Sequence, residues 1–356
     1  MSNSMEFLQK EILHQQYRDA CFQLETFIRS GKPGELMALV GPTKIGKSRA
    51  LQKVVRALIL EEREKLEQDA SYAPILLLEA PAALDRKEYL HDWLYRALQG
   101  LMEPLIEFRA DRSAQASALT GLRASEQAMR RGLENALRSR QTHTIIIDQA
   151  QRMILPEHKH RRRLHSILEV THSIAEMAGC RLLLCGTYDI WDHIKANDVL
   201  ASRCTLAHFH RYDVARNEED YRIWCDTLFT IQSLLPAAFH KGWNENARLL
   251  LEGSLGCVGL LIDWLARASQ QKMAGRASLS FSQCLERTML PLGLRETLMH
   301  QILAGEKLLE PEANDVVAAL LGLTQEKPAR PPMRRGKPGT RNPTRDPVWT
   351  GREALE

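Results

Sequence analysis

Several familiar signals are missing from this chain. Its seven cysteines (21, 180, 185, 204, 225, 257 and 284) are scattered and contain no Cys-x-x-Cys pair. That argues against a disulfide framework and against a zinc site, and it fits a reducing, cytoplasmic setting. No stretch of 18 uncharged apolar residues occurs, so no membrane-spanning helix is expected. The opening residues Met1-Ser2-Asn3-Ser4-Met5-Glu6 do not form the basic-then-apolar pattern of a secretory signal. A strong charge of one sign is absent too. The net charge is +4, and residues 326–356, with eight Lys/Arg against four Asp/Glu, account for all of it. Basic surface on the remainder must therefore come from local segregation of charge. At 356 residues the chain exceeds one usual core, which predicts two domains and an extension.

What is present is a phosphate-binding loop. The apolar run Leu36-Met37-Ala38-Leu39-Val40 leads into Gly41-Pro42-Thr43-Lys44-Ile45-Gly46-Lys47-Ser48. This is G-x-x-x-x-G-K-[ST] in its required setting, between a strand and a helix. The glycines let backbone N–H groups turn inward around phosphate oxygens, and the following helix points its positive end at the same anion. Lys47 is expected to reach the β- and γ-phosphates of ATP, and the Ser48 hydroxyl to take one Mg²⁺ position.

The rest of the chain supplies a frame for that loop. Residues 5–30 read as amphipathic helix, and the helix after the loop reads from 47 to 68. Further strands are expected at Ile75–Glu79, Thr144–Asp148 and Arg181–Cys185, with a weaker fifth at Thr205–Phe209. Between the second and third lies a long helical stretch, 86–140, broken near Glu103-Pro104 and Asp111–Ser113; another helix covers 161–178. Short apolar strands alternating with helices predict an α/β fold, a five-stranded parallel sheet covered on both faces. Ligands bind at the carboxyl ends of such strands, which aligns the phosphate loop, Asp148 and Thr187 along one edge. After Tyr212 only helical patterns remain, and the Pro-, Arg- and Gly-rich end reads as disordered. The expected domains are a helical segment 1–30, a nucleotide-binding domain 31–213, a helical lid 214–323 and a basic tail 324–356.

Ile145-Ile146-Ile147-Asp148 is the partner motif, because an acidic residue ending a buried strand opposite the loop can support Mg²⁺ through water. The next residue is Gln149, where hydrolytic P-loop proteins carry a Glu that polarises the attacking water. A glutamine can position water but cannot accept its proton as a carboxylate does. Slow or partner-dependent hydrolysis is expected, whether the residue is natural or a Glu→Gln trap. Thr187 ends the fourth strand, where a hydroxyl can sense the γ-phosphate or simply close a turn. Arg203, just before the fifth strand, stands where oligomeric ATPases place an arginine that reaches a neighbour's γ-phosphate. Two basic clusters could meet DNA phosphates: Lys159, Arg161, Arg162 and Arg163, and a helical set that includes Arg130 and Arg131. No aromatic interleaving points to base stacking. The tail carries Pro347-Val348-Trp349, a candidate anchor for a partner groove.

Taken together, the phosphate loop, Asp148, Thr187, Arg203 and a helical lid resemble the AAA+ ATPases. Within them the chain is similar to the TniB/TnsC group of transposition regulators, with the phage MuB protein more distant. The likeness runs over about residues 10–300. It rests on the leading helices with His14, the phosphate loop, Leu78-Glu79-Ala80-Pro81, Ile146-Ile147-Asp148-Gln149-Ala150-Gln151, Leu184-Cys185-Gly186-Thr187, and Gly253-Ser254-Leu255-Gly256-Cys257-Val258-Gly259-Leu260. Two departures stand out: Gln149 replaces the usual Glu, and Gly259 stands where many AAA+ lids carry an arginine. The resemblance implies an ATP- and Mg²⁺-dependent homo-oligomer, a ring or helical filament on duplex DNA, with a transposase and a TniQ-like target-selection protein as partners. An AAA+ helicase loader or replication initiator is an alternative, as is a nucleotide-gated interaction module that never touches DNA.

Overall fold

The computed structural model describes residues 11–82, 86–102, 122–154, 165–235, 243–273 and 280–310. Chain contacts divide it into Met1–Leu309 and Glu310–Glu356. Of the second unit only Glu310 is described, so the tail and its Trp349 lie outside the described residues.

The first unit is built on five strands: β1 (Leu36–Val40), β2 (Ile75–Glu79), β3 (Thr144–Asp148), β4 (Arg181–Gly186) and β5 (Cys204–His208). Their order is β2-β3-β4-β1-β5, and every neighbouring pair is parallel. This is the parallel five-stranded sheet expected above. β1 is buried along its whole length, as a strand covered on both faces must be. The alternation of side chains then sorts the core. Leu36, Ala38, Val40, Ile145, Ile147, Leu182 and Leu184 join one apolar cluster; Met37, Leu39, Ile146, Leu183 and Cys185 join the other.

Helix α1 (Gln15–Ser30) and helix α2 (Lys47–Glu61) cover the second face, where Tyr17, Leu24, Ile28, Leu51 and Val54 are buried. The leading helix begins at Gln15, and residues 11–14 are non-helical. The helix expected over 47–68 is interrupted at Glu62, and α3 (Arg63–Gln68) follows. The first face is covered by α4 (Arg86–Gly100), α5 (Leu122–Ser139), α6 (His165–Ala178) and α7 (Asp189–Lys195). The short α8 (Asp198–Ala201) leads into β5, which starts one residue earlier than expected because Cys204 pairs with Leu36.

Beyond β5 come α9 (Glu219–Leu234), α10 (Trp243–Ser254), α11 (Val258–Met273), α12 (Phe281–Thr288) and α13 (Leu292–Leu309). The first four surround a separate cluster centred on Trp224, Trp243, Trp264 and Leu285. The indole of Trp224 donates to the Ala247 carbonyl at 3.2 Å, and that of Trp264 to the Leu285 carbonyl at 3.0 Å. Both buried rings thus have their polar edge satisfied. Trp264→Ala is expected to cost about 3–5 kcal/mol, the usual range for emptying such a site; a urea-unfolding change below about 1 kcal/mol would contradict this packing. Helix α13 returns to the sheet domain. There the buried Arg211 guanidinium donates to both Glu306 carboxylate oxygens, at 2.8 and 3.2 Å. All seven cysteines are free. Among the described residues no single helix is long and apolar enough to cross a membrane.

Candidate nucleotide site

A cleft of about 540 Å³ opens at the carboxyl edge of the sheet. The phosphate loop residues Thr43–Ser48 line its floor, with Asp148, Gln149, Gln151, Gly186 and Thr187 on one side. The non-helical residues Ile12 and His14, with Tyr17, form a second wall, and Val258, Gly259, Ile262 and Asp263 of α11 form a third. The structure therefore brings the loop, Asp148, Gln149 and Thr187 together.

Local backbone chemistry shapes the loop. Gly46 has φ 121° and sits just ahead of α2, a conformation that side chains resist. Lys44 adopts φ 64°, and its ammonium pairs with Asp263 at 2.9 Å. Lys47 folds back over the loop, donating to the carbonyls of Gly41 at 2.9 Å and Pro42 at 2.7 Å. Burial lowers the Lys47 pKa, opposed by the nearby Cys185, Cys257 and Asp148.

Asp148 accepts a hydrogen bond from the Gln149 backbone N–H at 2.8 Å. Burial, with Asp148 close by, pushes the Cys185 thiol well up. Ser48 and Asp148 offer the cleft a hydroxyl and a carboxylate, hard oxygen donors of the kind Mg²⁺ prefers. Among the described residues no group of three or more His, Cys, Asp or Glu could hold a metal unaided. These two oxygens fit a cation that also draws ligands from phosphates. The Thr187 hydroxyl donates to Asp189 at 2.7 Å, and the Thr187 N–H donates to the Gln151 side-chain carbonyl at 3.4 Å.

Arg203 is elsewhere. Its carbonyl accepts from the Leu36 N–H, at the start of β1, so it lies at the sheet end opposite the loop. Its guanidinium pairs with Glu176. Of the basic clusters, Lys159, Arg161, Arg162 and Arg163 lie outside the described residues. On α5, Arg130 is committed to Glu134 and Ser173, whereas Arg131 is exposed. Arg138 and Arg140 donate to the carbonyls of Met177 and Met102.

Three features of the cleft went unassigned in the sequence. The first is the aromatic cluster in which the lining residues His14 and Tyr17 pack with Phe209 and Tyr212, ring centroids 5.7–6.4 Å apart. The His14 Nδ1 lies 3.1 Å from the Tyr212 hydroxyl. Burial pulls the His14 pKa down to about 4, so the ring is neutral at pH 7. No local pattern announces this cluster, because it is assembled from segments about 200 positions apart. The second is the close seat of α11: a Cβ built on Gly259 would lie 2.0 Å from the Lys44 carbonyl oxygen. The third is a contact beside Gln149. Its side-chain amide donates to Glu79 Oε1 at 2.8 Å, and Arg152 donates to the same oxygen at 2.8 Å. Glu79 and Asp148 are register partners at the ends of adjacent strands, a pairing that no local sequence pattern announces.

A phosphate loop after β1, an acidic residue ending β3 and a threonine after β4, on this sheet, define the P-loop AAA+ fold. Residues 30–194 match the protein-family profile described as "AAA domain". No curated protein matches the sequence. Among solved structures, the chain is similar to the Aeropyrum pernix ORC2 protein in its ADPNP–ADP complexes. Identity is 15%, with 81% of this chain and 71% of that one covered, at a TM-score of 0.49. It is also similar to the A. pernix ORC1 protein in complex with DNA (14% identity, 91% and 73% covered, TM-score 0.47). Domain III of the Thermotoga maritima replication initiation protein DnaA is a third (13%, 81% and 98% covered, TM-score 0.46). Likeness at these levels carries no functional information.

Proposed function

We propose that the protein is an ATP-dependent, DNA-binding AAA+ regulator of transposition that acts in the cytoplasm. It assembles on duplex target DNA, and recruits and activates a transposase, with a TniQ-like protein selecting the target. The observation that carries the nucleotide part is the convergence of Lys47, Ser48, Asp148 and Thr187 on one cleft. Lys47 already points its ammonium across the loop, where two of its three donors are held by carbonyls. The triphosphate competes for those donors. Ser48 and Asp148 hold Mg²⁺, which neutralises phosphate charge when bound. The largely apolar lining of Ile12, His14, Tyr17, Val258 and Ile262 suits a purine ring. In this reading the sheet domain binds ATP beneath the helices α9–α13.

In this reading assembly uses Arg203. At the far end of its own sheet it cannot serve its own nucleotide, so any γ-phosphate contact is made in a second copy, after the Glu176 pair opens. DNA contact falls to Arg131 on α5 and to Lys159, Arg161, Arg162 and Arg163. A polymer repeats a modest site many times, so each subunit needs few phosphate contacts.

The test is duplex binding across a salt series, with and without a non-hydrolysable ATP analogue, followed by electron microscopy. The expected result is an oligomer on duplex DNA, formed only with nucleotide and weakened steeply by salt. A protein that stays monomeric when saturated with ATP, magnesium and duplex overturns the reading. So does assembly indifferent to DNA and to salt.

A further inference from the structure

We propose that Glu79 supplies the water-activating carboxylate that position 149 lacks; this rests on the ATP-hydrolysis reading above. Glu79 ends β2 beside Asp148, its register partner on β3, and the Ala80 N–H donates to the Asp148 carbonyl at 2.9 Å. The two acidic side chains therefore stand on neighbouring strands of the same sheet edge, strands that lie about 4.8 Å apart. The tip of Gln149, itself in the cleft lining, touches Glu79 Oε1 at 2.8 Å. A carboxylate is thus present one hydrogen bond beyond the usual position.

Three details favour a functional rather than a merely structural pair. Gln149 holds φ 53° and ψ 37°, a left-handed conformation that costs a non-glycine residue energy and clusters at functional sites. Both described partners of Glu79, Gln149 and Arg152, bind the same oxygen, Oε1. Among the described residues, Oε2 has no hydrogen bond and is left to accept a proton. Arg152 also donates to the Ala80 carbonyl at 3.2 Å, which fixes the guanidinium beside Glu79.

The step balances as follows. Glu79 accepts a proton from a water held by the Gln149 side chain. The water oxygen bonds to the γ-phosphorus as the bond from that phosphorus to the β–γ bridging oxygen breaks. The electron pair stays on ADP, inorganic phosphate is released, and Glu79 returns its proton to solvent. Gln149 is a positioning residue in this scheme, and Glu79 is the base.

The test measures steady-state phosphate release and equilibrium ATP affinity for the full chain, Glu79→Gln, Gln149→Glu and the double swap Glu79→Gln/Gln149→Glu. Loss of a positioned general base costs about 10²–10⁴-fold. Glu79→Gln is therefore expected to lower kcat at least about tenfold while ATP affinity stays within about twofold. The swap keeps a hydrogen-bonded Gln–Glu pair and moves the carboxylate to the residue after β3, so it is expected to restore turnover. Turnover of Glu79→Gln within about twofold of the parent overturns the proposal. A swap that stays as slow as Glu79→Gln overturns it as well, because the loss is then structural. A parent chain that binds ATP without hydrolysing it does the same. Failure of the parent to bind ATP removes the nucleotide reading itself, and that outcome is distinct from binding and turnover indifferent to Glu79.

Discussion

Lys47→Ala is expected to abolish measurable ATP turnover and to weaken ATP binding by one to two orders of magnitude. The Lys47 ammonium is desolvated and held over the loop by the Gly41 and Pro42 carbonyls, so it arrives at the phosphates already positioned. A charge-assisted hydrogen bond to phosphate contributes roughly 1.5–3 kcal/mol, and each 1.4 kcal/mol is about tenfold in affinity. Charge that develops on the transferred phosphoryl group adds to this, since loss of one preorganised donor typically slows catalysis about 10²–10³-fold. Stability is predicted to change little. Alanine removes a desolvated cation together with its desolvation cost, which offsets the loss of a donor at the carbonyls of the buried Gly41 and Pro42. Isothermal titration with an ATP analogue, phosphate release and a thermal melt separate these effects. Parent-like turnover in Lys47→Ala would exclude the phosphate-loop assignment, and a collapsed melt would shift the explanation to folding.

The legible parts of this molecule are those where local pattern and tertiary demand coincide. Four strands appear where apolar runs end in Gly41, Pro81, Asp148 and Gly186, because a doubly covered parallel sheet requires continuous apolar strands. β5 is displaced by one residue since its register is set by β1 rather than by its own sequence. Phe209, read as strand, lies just past its end, with its N–H on the Val40 carbonyl and its own carbonyl packed on Gly41. The segment 11–14 has helix-like periodicity, yet its Ile12 joins the lid core and its His14 ring meets Tyr212. Burial against distant segments overrode local propensity there. The Arg211–Glu306 pair spans 95 positions and has no sequence signature. Within the site, the phosphate loop and Asp148 were readable because phosphate chemistry fixes residue types at fixed spacing. The Glu79–Gln149 contact was not, because it depends on β2 and β3 being neighbours, which strand order alone decides.

Gly259→Ala is expected to weaken ATP binding more than Asp263→Ala, although Asp263 makes the visible ion pair. Both residues join α11 to the phosphate loop through Lys44. The Lys44–Asp263 pair is exposed on both sides, at 58% and 43% of side-chain surface, and such pairs contribute about 0–1 kcal/mol. The Gly259 contact is steric and meets backbone: a Cβ would stand 2.0 Å from the Lys44 oxygen, so α11 or the loop must move. Overpacking of this kind costs about 1–3 kcal/mol. The simplest relief is for α11 to lift from the loop, which widens the cleft at its wall of Val258 and Ile262. Under the proposed ATP-binding reading, the observed seat of α11 on the loop then falls in population and apparent affinity falls with it, by about tenfold for each 1.4 kcal/mol of strain. This also explains why a lid arginine at this position is incompatible with the observed seat: any side chain there displaces the helix. ATP titration of the two variants decides the matter. An affinity loss in Gly259→Ala no larger than that in Asp263→Ala would mean the loop yields without cost, and that steric contact between lid and loop does not govern closure.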